Sequence, residues 1–308
     1  MRTSPSFGHR KQRLCAIAAG AVLAVALATD AFASAAGDAL RERHATLAPA
    51  LEHSPFQRPI HIESTETPAR LTGEVHAVVD HSFRRVEGAL KGAQQWCDIL
   101  ILPFNVKQCH AIGQPTPKTL ALHVGRKHDQ PVGDAYRVDF AYRVVANHAD
   151  YLQVHLNADT GPLGTKDYRI VVEATPLDAN RSFLRMSYAY GYGFMARVAM
   201  LGYLSTAGRD KIGFSVVGRR PDGTPVHVDH MRGVVERNAM RYYLAIDAYL
   251  DSLSAAPHQR TEHRLRGWFA ATERYPRQLH EIEQDEYLTM KRREIRRQRS
   301  DTQTAKVG

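Results

Sequence analysis

The sequence predicts an α+β fold: an antiparallel β-meander packed against one long helix near the C-terminus. Three observations carry this. Side chains alternate apolar and polar with period two in a series of runs between about 120 and 192. Only short polar turns separate those runs, which leaves no room for βαβ crossovers. Near the C-terminus, Val235, Ala239, Tyr242, Ile246, Leu250 and Leu253 recur every three or four residues, the period of an amphipathic helix.

In chain order, residues 71–79 form a β-type run. Ser82 is placed as a helix N-cap, with Phe83, Val86 and Leu90 at helical spacing. Gly92 divides this stretch into two short helices, the second ending near Trp96 and Cys97. Leu120, Leu122 and Val124 alternate next. Tyr136, Val138, Phe140, Tyr142 and Val144 do so more clearly, with Arg137, Asp139 and Arg143 on the other face. Leu152, Val154 and Leu156 follow, then Tyr168, Ile170 and Val172. The last strong run is Leu184, Met186, Tyr188, Tyr190 and Tyr192. Ala146-Asn147-His148 and Thr160-Gly161-Pro162 mark turns. A further strand is expected over 212–217. Residues 264–299 read as helical, charged and peripheral, interrupted at Pro276. The resulting division is a leader over 1–35, a lead-in over 36–68, a main domain over 69–255 and a basic helical extension over 256–308.

The leader has three parts. Arg10, Lys11 and Arg13 precede an apolar run from Leu14 to Ala28. The small-residue site Ala31-Phe32-Ala33-Ser34-Ala35 follows, with cleavage expected after Ala33 or Ala35. This is the pattern of a secretory signal peptide, and its apolar run is too short to span a bilayer. The mature part is therefore expected outside the cytoplasm, in a bacterial periplasm or secreted. The formal net charge is +9. Residues 1–35 contribute +3 and residues 291–308 contribute +5, which leaves about +1 for the body. A nucleic-acid domain is not expected. The basic tail reads as a solvated end or a contact for anionic lipid headgroups. Without the leader, Cys97 and Cys109 remain, 12 positions apart. In an oxidising compartment they either form a disulfide or stay as two buried thiols.

Strand, two short helices, meander and long terminal helix resemble the START-like, or helix-grip, superfamily over about residues 69–253. The resemblance is carried by Gly92-Ala93-Gln94-Gln95-Trp96-Cys97-Asp98 leading to Leu102-Pro103-Phe104-Asn105-Val106, and by Val234-Val235-Glu236-Arg237-Asn238 leading to Tyr242-Tyr243-Leu244. It implies a curved antiparallel sheet gripping the helix, with a hydrophobic cavity between them for lipids, sterols, polyketides or similar molecules. It implies no shared catalytic set. This sequence departs from the family in having about eight strand-like runs where seven are usual, and an insertion over 194–205.

The candidate ligand-binding residues are Tyr136, Phe140, Tyr142, Tyr188, Tyr190, Tyr192, Met195, Arg197 and Tyr242. Rings with hydroxyls make a wall that is apolar yet offers hydrogen bonds, although aromatic residues at period two also make ordinary core. Residues 194–205 are nearly all apolar and read as a lid, a membrane contact or a core element. Arg197, Arg209 and Arg241 need partners if buried, with Asp210, Glu236 and Asp247 available. His227-Val228-Asp229-His230 has no matching distant ligand set, so no metal is expected. There is no GxSxG elbow, phosphate loop or dinucleotide fingerprint, and no cofactor is expected. The expected function is periplasmic binding or transport of a hydrophobic small molecule, a lipid first. A START-like cyclase or hydrolase and a non-catalytic envelope scaffold are the alternatives. The expected partners are that ligand and a membrane surface touched through 194–205 or the tail.

Overall fold

The computed structural model describes residues 35–193, 197, 198, 200, 202 and 211–307. The leader falls outside them except for Ala35, as do Met195, Arg209 and Asp210. Helix α1 covers 35–52. The main strands are β1 (Ile60–Glu66), β2 (Arg70–Val79), β3 (Val106–Ile112), β4 (Thr119–Val124), β5 (Tyr136–Asn147), β6 (Leu152–Thr160), β7 (Thr165–Pro176) and β8 (Ser182–Tyr192). Helices α2 (Phe83–Leu90) and α3 (Ala93–Leu100) carry the chain from β2 to β3. The C-terminal part contributes α4 (His230–Ser252), α5 (Arg260–Glu273), α6 (Pro276–Leu279) and α7 (Gln284–Val307).

One antiparallel sheet holds all eight strands in the order β1-β2-β8-β7-β6-β5-β4-β3. Consecutive strands from β3 to β8 are neighbours, as short turns require. The last of them returns to β2, with Leu71 opposite Tyr190 and Val75 opposite Met186. Strands β2 to β8, the α2–α3 connection and α4 make a helix grip, and β1 adds an edge strand. The sequence reading put an extra strand at 212–217 and, within the 36–68 lead-in, a helix around 39–51 but no strand. The helix is α1, and the strand falls elsewhere than expected. Ile60 and Ile62 sit on the inner face opposite Ala77 and Val75. Their alternation with His61 and Glu63 is too brief to distinguish from a loop. Residues 216–219 instead pair with Pro225–His227 in a separate, largely exposed ribbon.

The period-two pattern sorts side chains to two faces. Leu71, Val75, Leu120, Leu122, Val154, Leu156, Val172, Leu184 and Met186 face the core. The outer face carries charge and is partly covered by α1. Leu40, Leu47 and Leu51 of α1 pack with Tyr151 and Phe183 in a second, smaller cluster. Arg41 of α1 reaches Asp150 at 3.1 Å and Thr175 at 3.0 Å.

Helix α4 packs across β1, β2 and β8. Gly73 permits this approach: a Cβ there would lie 2.9 Å from the Val235 carbonyl oxygen and 3.2 Å from the Ala239 Cβ. The far side of α4 is covered by α5, whose Trp268 Nε1 donates to the Arg241 carbonyl at 3.1 Å. With both sides covered, α4 is buried nearly all round, beyond the single stripe read from the sequence.

The charged extension also joins the main core. Phe104, Trp268 and Tyr287 pack ring to ring, with centroids 4.8 to 5.3 Å apart. Helix α7 covers the β3 edge, where Gln298 accepts a hydrogen bond from the Cys109 backbone N–H at 2.8 Å. Lys107, Lys291 and Glu294 are fully buried at this contact. Lys107 Nζ donates to the Phe104 and His128 carbonyls at 2.9 Å, and Lys291 Nζ to the Val106 carbonyl at 2.7 Å and Glu294 at 2.8 Å. Burial pulls the Lys291 pKa down to about 8, against the pull of Glu294. The basic run that reads as solvated thus begins with a lysine held inside. A Cys97–Cys109 disulfide joins α3 to β3.

Candidate functional site

The inner face between β5 and β8 carries a layer of aromatic rings. The Phe140 and Tyr168 centroids are 6.1 Å apart, Tyr168 stacks on Tyr190 at 5.5 Å, and Tyr188 lies 5.3 Å from Tyr242 of α4. Period two on β5, β7 and β8 and the antiparallel register place them together. Unlike the residues under α4, several inner-face side chains here are only half-buried: Tyr142, Val144, Tyr168 and Tyr242. Tyr142 also has a buried hydroxyl with no hydrogen-bond partner among the described residues. Such a group is costly to leave unpaired. Burial pushes the Tyr142 pKa up to about 12 and raises those of Tyr168, Tyr188, Tyr190 and Tyr242. All five phenols are therefore neutral near pH 7, able to donate or accept a hydrogen bond.

The expected residues do not all belong to this layer. Phe140, Tyr188 and Tyr190 are buried in it, and Tyr142 and Tyr242 are half-buried beside it. Tyr136 is 43% exposed at the start of β5. Tyr192 is buried, but its hydroxyl donates to the Thr67 carbonyl at 2.8 Å and so pins the β1–β2 turn. Arg197 is exposed, so it needs no buried counter-charge. Met200, from the same helical stretch, packs against the core. Tyr168 was legible as part of a strand but not as part of the site. Its role follows from pairing β7 between β6 and β8.

A polar cluster joins four segments of the chain. Lys127 comes from the β4–β5 connection, Lys211 from the segment before the 216–219 ribbon strand, Arg237 and Arg241 from α4, and Glu281 from the α6–α7 connection. Lys127 Nζ lies 2.7 Å from Glu281 Oε1, and Arg241 donates to the same oxygen. Lys211 donates to the His280 carbonyl, and Arg237 to the Ile212 carbonyl at 3.1 Å. Burial lowers the Lys127 pKa and Arg241 adds to the effect, while Glu281 opposes it. Burial also works against the Glu281 charge, but Arg241 and Lys127 hold its pKa below the ordinary carboxylate value. Of the partners anticipated for buried arginines, Asp210 lies outside the described residues, and Glu236 and Asp247 have the following contacts. Asp247 binds Arg58 through both oxygens, and Glu236 accepts from Ser64, Ser215 and the Phe214 backbone.

On the outer face, the β1–β2 register sets Glu63 opposite Glu74 and His61 opposite His76. Glu63, Glu74 and His76 offer ligand atoms within 4.8 Å of one another, a set that can hold a divalent metal. However, Arg43 pairs with Glu63 and Arg185 with Glu74, which makes an ion-pair network of the same atoms. An adjoining cleft of about 400 Å³ lies between α1 and the sheet, lined in part by Arg43, Glu74, Glu173 and Arg185. His227, from the histidine cluster in the sequence, instead contacts the Phe214 carbonyl through Nδ1 at 3.1 Å.

No family model matches the sequence. No curated protein matches it either. Among solved structures, the chain is similar to norcoclaurine synthase from Thalictrum flavum, at 15% identity and a TM-score of 0.33, over 47% of this chain and 89% of that one. It is similar to a START superfamily protein from Mycobacterium smegmatis at 15% identity and a TM-score of 0.29, over 46% and 96% of the two chains. A conserved protein from Geobacillus kaustophilus gives 16% identity and a TM-score of 0.30, over 44% and 86%. At such scores the likeness carries no weight for the fold, and the helix grip described above rests on this chain's own strand pairing. No helix among the described residues is long and apolar enough to cross a membrane.

Proposed function

We propose that this protein works outside the cytoplasm, in a bacterial periplasm, where it binds a hydrophobic small molecule, a lipid first, and carries or sequesters it. One observation supports this most: an aromatic layer on the inner face, with half-buried Tyr142, Tyr168 and Tyr242, in a protein whose neighbouring core is tightly packed. Rings give apolar area, and hydroxyls give a few directional contacts. Binding strength would come mainly from apolar burial, roughly 25 cal/mol per Å² before ordering costs. The 194–205 segment serves as the gate in this reading, since Met200 packs on the core while Val198 stays 49% exposed. The leader pattern supports the address.

The test is native mass spectrometry of the mature protein purified from its own periplasm. A co-purifying lipid supports the proposal. Protein that emerges empty, and takes up nothing from a total lipid extract, overturns it.

A further inference from the structure

We propose that the ribbon formed by Val216–Arg219 and Pro225–His227 docks the protein on a bilayer surface containing anionic phospholipid. Docking of this kind requires no ligand in the core, and it lies elsewhere than 194–205 or the basic tail. The ribbon stands clear of the body: every residue from 216 to 226 is exposed. Val216, Val217 and Val226 are 49%, 56% and 36% exposed. Successive strand residues point to opposite faces, so Val216 and Val217 put apolar surface on both sides of the ribbon. A flat protein partner would cover one side and leave the other wet. The boundary between headgroups and acyl chains surrounds whatever enters it.

The charge of the ribbon matches such a surface. Arg219 and Arg220 adjoin the valines where the first strand enters the turn. Neither has a carboxylate partner among the described residues, and Arg219 Nη1 donates to the Gly223 carbonyl at 3.0 Å. Asp222 is the one acid over 216–226, and its Oδ1 accepts from the Thr224 backbone N–H at 2.9 Å. Both guanidinium groups are therefore open to phosphate oxygens, while their stems lie along the same apolar layer as the valines. The base of the ribbon is clamped. Glu236 of α4 is fully buried and accepts from the Phe214 and Ser215 backbone N–H groups at 2.6 and 2.9 Å. The Val228 N–H donates to the Ser215 carbonyl at 2.8 Å. A two-stranded ribbon is marginal in water by itself, so this clamp is what holds it out as a prong.

The experiment measures sedimentation of the mature protein with sucrose-loaded vesicles, of phosphatidylcholine alone or mixed equally with phosphatidylglycerol. The protein should favour the anionic vesicles, and added salt should weaken the binding. Arg219→Gln combined with Arg220→Gln should lower partition roughly 25-fold, about fivefold for each charge. Val217→Ser should lower it roughly tenfold. Val145→Ser, at a 47% exposed valine of β5, should change nothing. Val217→Trp should give a blue shift of emission with anionic vesicles, since Trp96 and Trp268 are buried and add little to it. These positions are exposed, and circular dichroism confirms that each variant folds. Parent protein that ignores anionic vesicles overturns the proposal. Binding that survives both ribbon variants, with no emission shift, also overturns it and assigns the contact to another surface. Self-association that Val217→Ser abolishes, without vesicle binding, overturns it in favour of an interface between copies. None of these outcomes bears on lipid uptake, which the lipid-extract experiment decides separately.

Discussion

The flanks of the sheet and its middle are packed to different standards. On one flank, β1, β2 and β8 lie so close under α4 that Gly73 has no room for a side chain. On the other, α7 closes the β3 edge with two buried lysines that share the Glu294 carboxylate and donate to backbone carbonyls. Between them, Tyr142, Val144 and Tyr168 face inward yet stay half-buried. A fold able to satisfy two interior lysines has no general difficulty in filling space. The looseness of the middle is therefore local, and it is where the proposed ligand would bind.

The largest effect should come from opening a flank. Glu294→Ala leaves Lys107 and Lys291 buried without their carboxylate, and it should cost about 3–5 kcal/mol in chemical denaturation. An effect below about 1 kcal/mol would show that this edge is as loose as the middle.

The outer face gives the next effect, as a function of pH. His76 is fully buried, and burial lowers its pKa from 6.5 to about 4, against the pull of Glu63 and Glu74 and with help from Arg43 and Arg185. Below pH 6.5 the unfolded chain takes up a proton that the native protein refuses until about pH 4. Stability should therefore fall as pH drops through that window and level off below it. The His76 share is on the order of 3 kcal/mol at most. His76→Gln should flatten that part of a plot of denaturation midpoint against pH. An unchanged slope would assign the acid sensitivity to other groups.

Gly73→Val pushes a branched side chain against the Val235 carbonyl. Overpacking of this kind costs about 1–3 kcal/mol, read as a lowered melting temperature. The smallest effects separate flank from middle most directly. Tyr142 and Tyr243 both have buried hydroxyls with no partner among the described residues. Tyr243 lies on α4, beside Asp247 and Arg58. Tyr243→Phe should gain about 1 kcal/mol and leave ligand uptake unchanged. Tyr142→Phe should gain a similar amount but weaken uptake. If both variants bind equally well, Tyr142 is core and the ligand space lies elsewhere.

Much of this was legible in the sequence. Period-two runs on β5 to β8 placed Phe140, Tyr188 and Tyr190 on one face, and helical spacing found α4. Strand β1 escaped notice because only Ile60 and Ile62 mark its buried face. The extension seemed peripheral because its charges outnumber its apolar residues, yet Trp268, Leu279, Tyr287 and Leu288 suffice to anchor it. Lys127, Lys211 and Glu281 carried no signal at all, since each is one charge in an otherwise ordinary polar stretch.

The sequence by itself determined the α+β class, the meander and which strand residues share a face, because those depend on local period. Its leader pattern also set the expected address. Only the tertiary structure decided that α1 and β1 complete the sheet's cover and edge, that α5 and α7 close the core, and that four distant segments meet at Glu281. Those are long-range pairings, and side-chain period carries no information about which surfaces meet.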